Sequence, residues 1–196
     1  KYEENLKTIL KQIKQIENLV NEFSDFARMP KPLFKKNNLN DVIKENINLV
    51  SKIDSSIKIR LINHLSKDLF FSFDNEQFNR LFFNLIKNSV ESIQEKAQKT
   101  NKIDKNIDIE IRQRRDYINV NLVDTGIGFK NKKTKDLIKP YFTTKDKGTG
   151  LGLSIVDKII SDHNGSIKFS NHKYGAKIQI IFPILKNVSW NTNCRW

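Results

Sequence analysis

Four short clusters in this 196-residue chain carry residue types and spacings that could do chemistry. In Asn84-Leu85-Ile86-Lys87-Asn88, two asparagines stand four apart, so on a helix both amides project from one face. An amide oxygen suits Mg2+, an ion that keeps several waters and takes phosphate oxygens beside its protein ligands. Lys87 adds a point charge for phosphate nearby. Asp124-Thr125-Gly126-Ile127-Gly128 follows the apolar stretch 120–123. A carboxylate at that place can accept a hydrogen bond from an exocyclic amine such as that of adenine, and Gly126 and Gly128 let the chain turn tightly against a flat ligand. The third cluster is Lys139-Pro140-Tyr141-Phe142-Thr143-Thr144-Lys145. The fourth, Gly148-Thr149-Gly150-Leu151-Gly152-Leu153, sets flexible backbone N–H groups ahead of a helix N-terminus, a geometry that favours phosphate. It is not a P-loop, since no Gly-Lys-Ser/Thr follows, and its G-x-G-x-G spacing is not the dinucleotide G-x-G-x-x-G. Taken singly, the first, second and fourth clusters each have a plainer reading: a solvated helix face, a strand-ending turn and a flexible loop.

Each cluster falls on an element suited to it. Phe78, Leu81, Phe82, Leu85, Ile86 and Val90 recur at helical spacing, so a helix over 75–96, capped by Asp74, carries both asparagines. Strands at 107–112 and 118–123 precede Asp124, and a Lys- and Gly-containing loop covers 125–149. A helix over 151–162 follows the last glycines, and strands at 166–170 and 176–182 close the pattern. Upstream, Leu39-Asn40-Asp41 reads as a cap followed by a helix to about residue 50, and 57–62 alternates as a strand. These elements form a two-layer α/β sandwich, with helices on one face of a largely antiparallel sheet.

The chain before this domain differs in kind. Leu6, Ile9, Ile13, Ile16, Val20, Phe23 and Ala27 are spaced alternately three and four apart, an a/d seam on a helix over 4–28. Such a stripe needs a partner, either a second helix in a dimeric bundle or hairpin, or the chain's own domain. Met29-Pro30-Lys31-Pro32 ends the helix. The expected organisation is a helix over 1–30, a linker over 31–36, a catalytic domain over 37–186 and an aperiodic, disordered tail over 187–196. The opening Lys1-Tyr2-Glu3-Glu4 has neither Met nor a signal-peptide core and reads as the inside of a helix in a longer protein.

Bulk properties narrow the classes. The net charge of +13 raises a nucleic-acid or membrane-surface partner. However, 28 of the 35 basic residues are scattered lysines accompanied by abundant Asn and Ile, a composition bias without any nucleic-acid module, so neither nucleic acid nor membrane contact is expected within these residues. No apolar run approaches the roughly 18 residues of a membrane span. Cys194, the one cysteine, permits no intrachain disulfide or cysteine zinc site and suits a reducing cytoplasm.

The four clusters, in this order, resemble the N, G1, F and G2 boxes of the Bergerat-fold (GHKL) ATPases and kinases, over about residues 36–185. The resemblance implies an α/β sandwich that binds ATP and Mg2+ under a lid at about 129–147. The ATP-hydrolysing branches carry Glu as general base where this chain has Asn84, whose amide is no useful base, so the chain is most similar to sensor histidine kinases. Carried over, Asn88 would ligate Mg2+ and Asn84 would support the metal–phosphate site. Lys87 would contact phosphate and Asp124 would recognise adenine. Gly126 and Gly128 would shape the adenine pocket, and Lys145, Gly148, Thr149, Gly150, Leu151 and Gly152 would hold the phosphates with the lid. The stretch 21–32 looks like the junction of nitrogen-regulation sensors of the NtrY type, implying that the first helix is the second helix of a dimerisation and phosphotransfer hairpin. Two positions depart from the pattern: Ile138 stands where the F box usually begins with Phe, and the later glycine pair is reduced to Tyr174-Gly175.

The family's phosphorylated histidine is followed by Glu or Asp and then Asn-Pro. His64, His163 and His172 lack that context; His163 reads as a capping or surface residue and the acceptor is expected upstream of Lys1. The resemblance implies a homodimer through the helical hairpin, a response-regulator receiver domain as partner, and a cytoplasmic placement within a full-length protein of the inner or plasma membrane. A degenerate nucleotide-binding module and an anti-sigma-type serine/threonine kinase of the same fold are the competing readings.

Overall fold

The computed structural model describes residues 2–65, 69–100, 103–129, 134–143 and 148–184. Lys145 and the tail over 187–196 lie outside the described residues. Helix α1 (Tyr2–Ala27) is followed by a short strand β1 (Lys35–Asn38), helix α2 (Leu39–Ser51), strands β2 (Lys58–Asn63) and β3 (Phe70–Phe73), and the long helix α3 (Asn75–Lys99). Then come strands β4 (Asn106–Arg114) and β5 (Tyr117–Asp124), a single turn α4 (Thr134–Leu137), helix α5 (Gly152–Asp162), and strands β6 (Ser166–His172) and β7 (Gly175–Pro183).

The main sheet has the order β2-β4-β5-β7-β6. Only β2 with β4 is parallel; the other pairs are antiparallel, as the hairpin spacing of β4–β5 and β6–β7 requires. Strict alternation sends Ile107, Ile109 and Ile111 of β4, Ile118, Val120 and Leu122 of β5, and Ile178, Ile180 and Phe182 of β7 to one buried face. Registers such as Ile109↔Leu122 and Leu122↔Ile178 align these rows across the sheet. Helices α2, α3 and α5 cover that face. Helix α3 presents Phe78, Leu81, Phe82, Leu85, Ile86, Val90 and Ile93, all buried, while α5 presents Ile155, Val156, Ile159 and Ile160. Fully burying one such side chain contributes about 1.5–3 kcal/mol, so this layer dominates the stability of the fold.

At three places the structure differs from or adds to the sequence expectations. The helix-opening cap is Asn38, whose side chain accepts from the Asn40 N–H, and not the stretch 39–41. Strands β1 and β3 pair as a separate two-stranded antiparallel ribbon that the hydrophobic pattern did not announce. His163 is the C-cap of α5, one of its two expected roles, and not a surface residue: at 4% exposure its Nε2 accepts from the Asp74 N–H, its Nδ1 bonds the Ile159 carbonyl, and its ring packs 4.8 Å from that of Phe78. Asp74, as expected, caps α3 by accepting from the Gln77 N–H.

Candidate nucleotide site

Helix α3 is buried on one side and open on the other. Asn84, Lys87, Asn88, Glu91, Ser92 and Glu95 recur at intervals of three, four or one along that open side, and they form one wall of a cavity of about 450 Å³. The opposite wall is the loop before α5, with Gly148, Thr149, Gly150 and Gly152. Apolar side chains of Ile127, Phe129, Leu137, Phe142 and Leu153 close the remaining sides, and Glu22 of α1 reaches the rim.

The two walls touch at a glycine. A Cβ built on Gly152 would lie 3.2 Å from Asn84 Oδ1 and 3.8 Å from Asn88 Nδ2, so both asparagines face the first residue of α5. Asn84 Nδ2 donates to the Arg80 carbonyl at 2.8 Å, which turns its oxygen toward that glycine. Helix α5 begins without a side-chain cap. Its first turn therefore offers unsatisfied N–H groups and the positive end of the helix dipole on the cavity side. Lys87 Nζ stands 4.0 Å from Glu91 Oε1 and 5.9 Å from the Phe83 ring.

Asp124 does not line the cavity; it lies beneath it. The inward positions of β5 run 118, 120, 122 and 124, so the strand's own alternation carries the carboxylate onto the core face, where it is 2% exposed. Oδ1 accepts from the N–H groups of Gly126 at 2.9 Å and Ala176 at 3.2 Å, while Oδ2 accepts from the Ser89 hydroxyl at 3.1 Å. A carboxylate offers about four acceptor positions, so Oδ2 retains room for one more donor. Burial raises the Asp124 pKa; the two backbone bonds, the Ser89 hydroxyl and the Lys96 charge oppose that rise.

Glycines hold the turn above it. A Cβ on Gly126 would lie 2.2 Å from Ser92 Oγ, and Ser92 Oγ in turn accepts from the Ile127 N–H. Gly128 has φ +71, and Asn171 braces the turn there by bonding both the N–H and the carbonyl of Phe129. Gly175, in the next hairpin, would place a Cβ 2.2 Å from the Asp124 carbonyl and 2.7 Å from the Gly126 nitrogen.

The structure thus brings Asn84, Lys87, Asn88, Gly128, Gly148, Thr149, Gly150 and Gly152 into one cavity wall or another. Asp124 and Gly126 form the layer beneath, and Leu151 is buried at 0% exposure, anchoring the loop in the core. The sequence reasoning did not single out Glu91, Ser92 and Glu95, although they continue the stripe of the two asparagines down α3. It also did not single out Asn171 and Glu22, and it placed Gly175 only as the remnant of a glycine pair; all three reach the site through pairings no local pattern encodes.

A family model described as histidine kinase-, DNA gyrase B-, and HSP90-like ATPase matches residues 73–186, more than half of the chain. The chain belongs to this ATPase family. Among the chain's curated relatives is a putative NtrY-like sensor histidine kinase of Rickettsia felis, 33% identical over 186 residues, 94% of this chain and 30% of the relative. The nitrogen regulation protein NtrY of Azorhizobium caulinodans is 29% identical, over 86% of this chain and 21% of its own. Of solved structures, the catalytic domain of the histidine kinase ThkA is 26% identical with a TM-score of 0.67, over 78% of this chain and 96% of that one. The chain therefore spans about a third or less of the curated relatives' length. Its α/β sandwich is the Bergerat ATP-binding fold of histidine kinase catalytic domains.

Proposed function

We propose that this chain is the ATP-binding catalytic part of a two-component sensor histidine kinase of the NtrY type, which moves the γ-phosphoryl group of ATP to a histidine outside these residues and thence to an aspartate on a response-regulator receiver domain. The observation that carries this reading is the facing of Asn84 and Asn88 with Gly152, beside a buried carboxylate that keeps one acceptor position open. The residues fit a magnesium nucleotide: two neutral carboxamides, one lysine, and a helix N-terminus facing one cavity. Bound Mg2+ would neutralise phosphate charge there. Asn88 is assigned as its ligand, with Asn84 supporting the metal–phosphate site. Lys87, Lys145 and the segment 148–152 are assigned to the phosphates, and Asp124 with Gly126 and Gly128 to adenine.

The chain supplies positioning and charge neutralisation rather than a covalent intermediate. Asn84 cannot act as a base toward water, which favours phosphoryl transfer to another side chain over hydrolysis. The three histidines have other occupations: His163 is buried with both ring nitrogens bonded, His64 bonds Glu110, and His172 ends β6 beside Tyr174. In the full-length protein, α1 is assigned to the dimerisation hairpin and this part to the cytoplasmic side of a membrane sensor. Among the described residues no helix is long and apolar enough to cross a membrane.

Calorimetric titration of ATP tests the site. Binding should be saturable, weaken in EDTA and in Asn88→Ala, and vanish in Asp124→Ala; a folded wild type that binds no ATP refutes the reading. Adding a separate polypeptide that carries the acceptor helix should then yield acid-labile phosphate on that polypeptide. Acid-stable phosphate would identify a serine/threonine kinase instead.

A further inference from the structure

We propose that Glu22 of α1 competes with the phosphates of a bound nucleotide for the loop before α5, so that docking of α1 and occupancy of the site oppose each other. This rests on the nucleotide site proposed above.

Glu22 lines the cavity beside the loop, and its carboxylate accepts a hydrogen bond from the Thr149 hydroxyl. The next residue, Phe23, stacks on Tyr141 with ring centroids 6.4 Å apart and planes 27° from parallel. These two contacts fall on one surface. Gly150 has φ +73, and a Cβ there would lie 2.5 Å from the Tyr141 carbonyl carbon, so the backbones of Gly150 and Tyr141 are pressed together. Tyr141 itself holds φ +65, a conformation that non-glycine residues seldom adopt, so its ring is presented to α1 by a constrained backbone. Helix α1 therefore grips both sides of one junction in the loop.

The chemistry of the contact is that of a phosphate. A carboxylate and a phosphoryl oxygen both accept from a hydroxyl, and Thr149 has a single O–H to give. It can serve Glu22 or a nucleotide oxygen, not both at once. A carboxylate left at the rim would also repel the triphosphate at short range. The remainder of α1 does little to hold the helix in place: Leu6, Ile9, Ile13, Ile16 and Val20 are each about half exposed or more. The packing of α1 on the catalytic layer is therefore concentrated at its last turns, where Phe26 meets the core and Glu22 and Phe23 meet the loop. Any ligand that displaces these contacts frees the helix, and any force that seats the helix weakens the ligand by the same factor.

The test uses the whole chain, with Mg2+–ATP and with adenosine as separate titrants. Glu22→Gln removes the charge while keeping the shape, and Phe23→Ala removes the stacking while keeping the charge. Both should bind ATP about fivefold or more tightly than wild type, the lower end of ordinary coupling between sites. Adenosine, which has no phosphate, should bind Glu22→Gln and wild type alike. Hydrogen exchange at residues 20–27 of the wild type should accelerate on saturation with ATP. Unchanged or weaker ATP binding in Glu22→Gln, an equal gain for adenosine, or unaltered exchange in α1 overturns the competition while leaving the nucleotide site intact. Absence of ATP binding in folded wild type and variants alike overturns the site itself, and the competition with it.

Discussion

The Asp124 carboxyl sits on the core face of β5, where burial raises its pKa above the ordinary 3.8. Between that value and the raised one, the folded state holds more proton than the unfolded chain, so stability falls as pH rises through this window and stays lower above it. An ionised carboxylate beneath the cavity is thus the cost of the recognition proposed for Asp124. Asp124→Asn removes the charge but can still accept from Gly126 and Ala176; its melting temperature at pH 7 should equal or exceed wild type, while ATP binding is lost because an amide N–H would face the exocyclic amine. Asp124→Ala instead leaves three donors unpaired and should cost about 1–3 kcal/mol per buried group left unsatisfied, reduced by any water that enters. Thermal denaturation from pH 3.5 to 7.5 beside calorimetry separates these outcomes. His163 shows the opposite sign. Burial lowers its pKa, partly offset by its bond to the Ile159 carbonyl and by the charges of Asp74 and Asp162. Neutral His163 accepts from the Asp74 N–H. Its stabilisation is therefore present above the ordinary 6.5 and is lost as pH falls toward the lowered folded value. Wild type should lose melting temperature between pH 7 and 5, and His163→Gln should lose less over the same range.

At the scale of elements, legibility followed the length and regularity of each pattern. Helix α3 and strands β4, β5 and β7 announced themselves because their apolar residues keep one period for many residues. The alternation of β5 even places Asp124 inward, though the sequence suggested only a strand-ending turn with a carboxylate. Strands β1 and β3 have four residues each, and Lys35-Lys36-Asn37-Asn38 has no strand composition; pairing with Phe70–Phe73 makes it one. Gly175 was noticed only as the remnant of a glycine pair. Its need for hydrogen in place of Cβ arises from the Asp124–Gly126 turn, some fifty residues away in sequence, which no local pattern reports. Backbone atoms at 2.2 and 2.7 Å cannot swing aside as a side chain would. Gly175→Ala should therefore push the turn off Asp124, costing about 1–3 kcal/mol of stability as overpacking does. It should also weaken ATP binding well beyond what that loss explains, measured by denaturant titration and calorimetry on one preparation. An equal effect of Gly165→Ala on ATP affinity, at a glycine crowded by the Ile181 carbonyl and Phe182 far from the turn, would show the weakening to be nonspecific.

The molecule as a whole is unevenly held together. Its catalytic layer has a continuous core of buried residues from α2, α3, α5 and the main sheet. Helix α1 has instead an apolar seam open to solvent along most of its length, with Ile13 at 56% and Ile16 at 63% exposure. Isolated helices are marginal in water unless tertiary packing supports them, and among the described residues of α1 such packing lies near its C-terminal end, through Phe23, Phe26 and the following Met29. The seam's regular three-and-four spacing explains why the helix was legible from sequence even though this chain alone does not bury it. What covers it is a matter of assembly, and the proposed hairpin partner predicts a gradient of stability. In dilute solution, hydrogen exchange should be rapid at residues 2–15, slower toward residue 27, and slowest in α3, whose apolar face is wholly buried. Raising the protein concentration, or adding a peptide with a complementary a/d seam, should slow exchange at residues 2–15 specifically. Ile13→Asp, which puts a charge in the middle of the seam, should abolish that slowing while leaving α3 exchange and ATP affinity unchanged. Strong protection of residues 2–15 in dilute monomer would mean that α1 is stable without a partner, and the assignment of its seam to a helical bundle would fail.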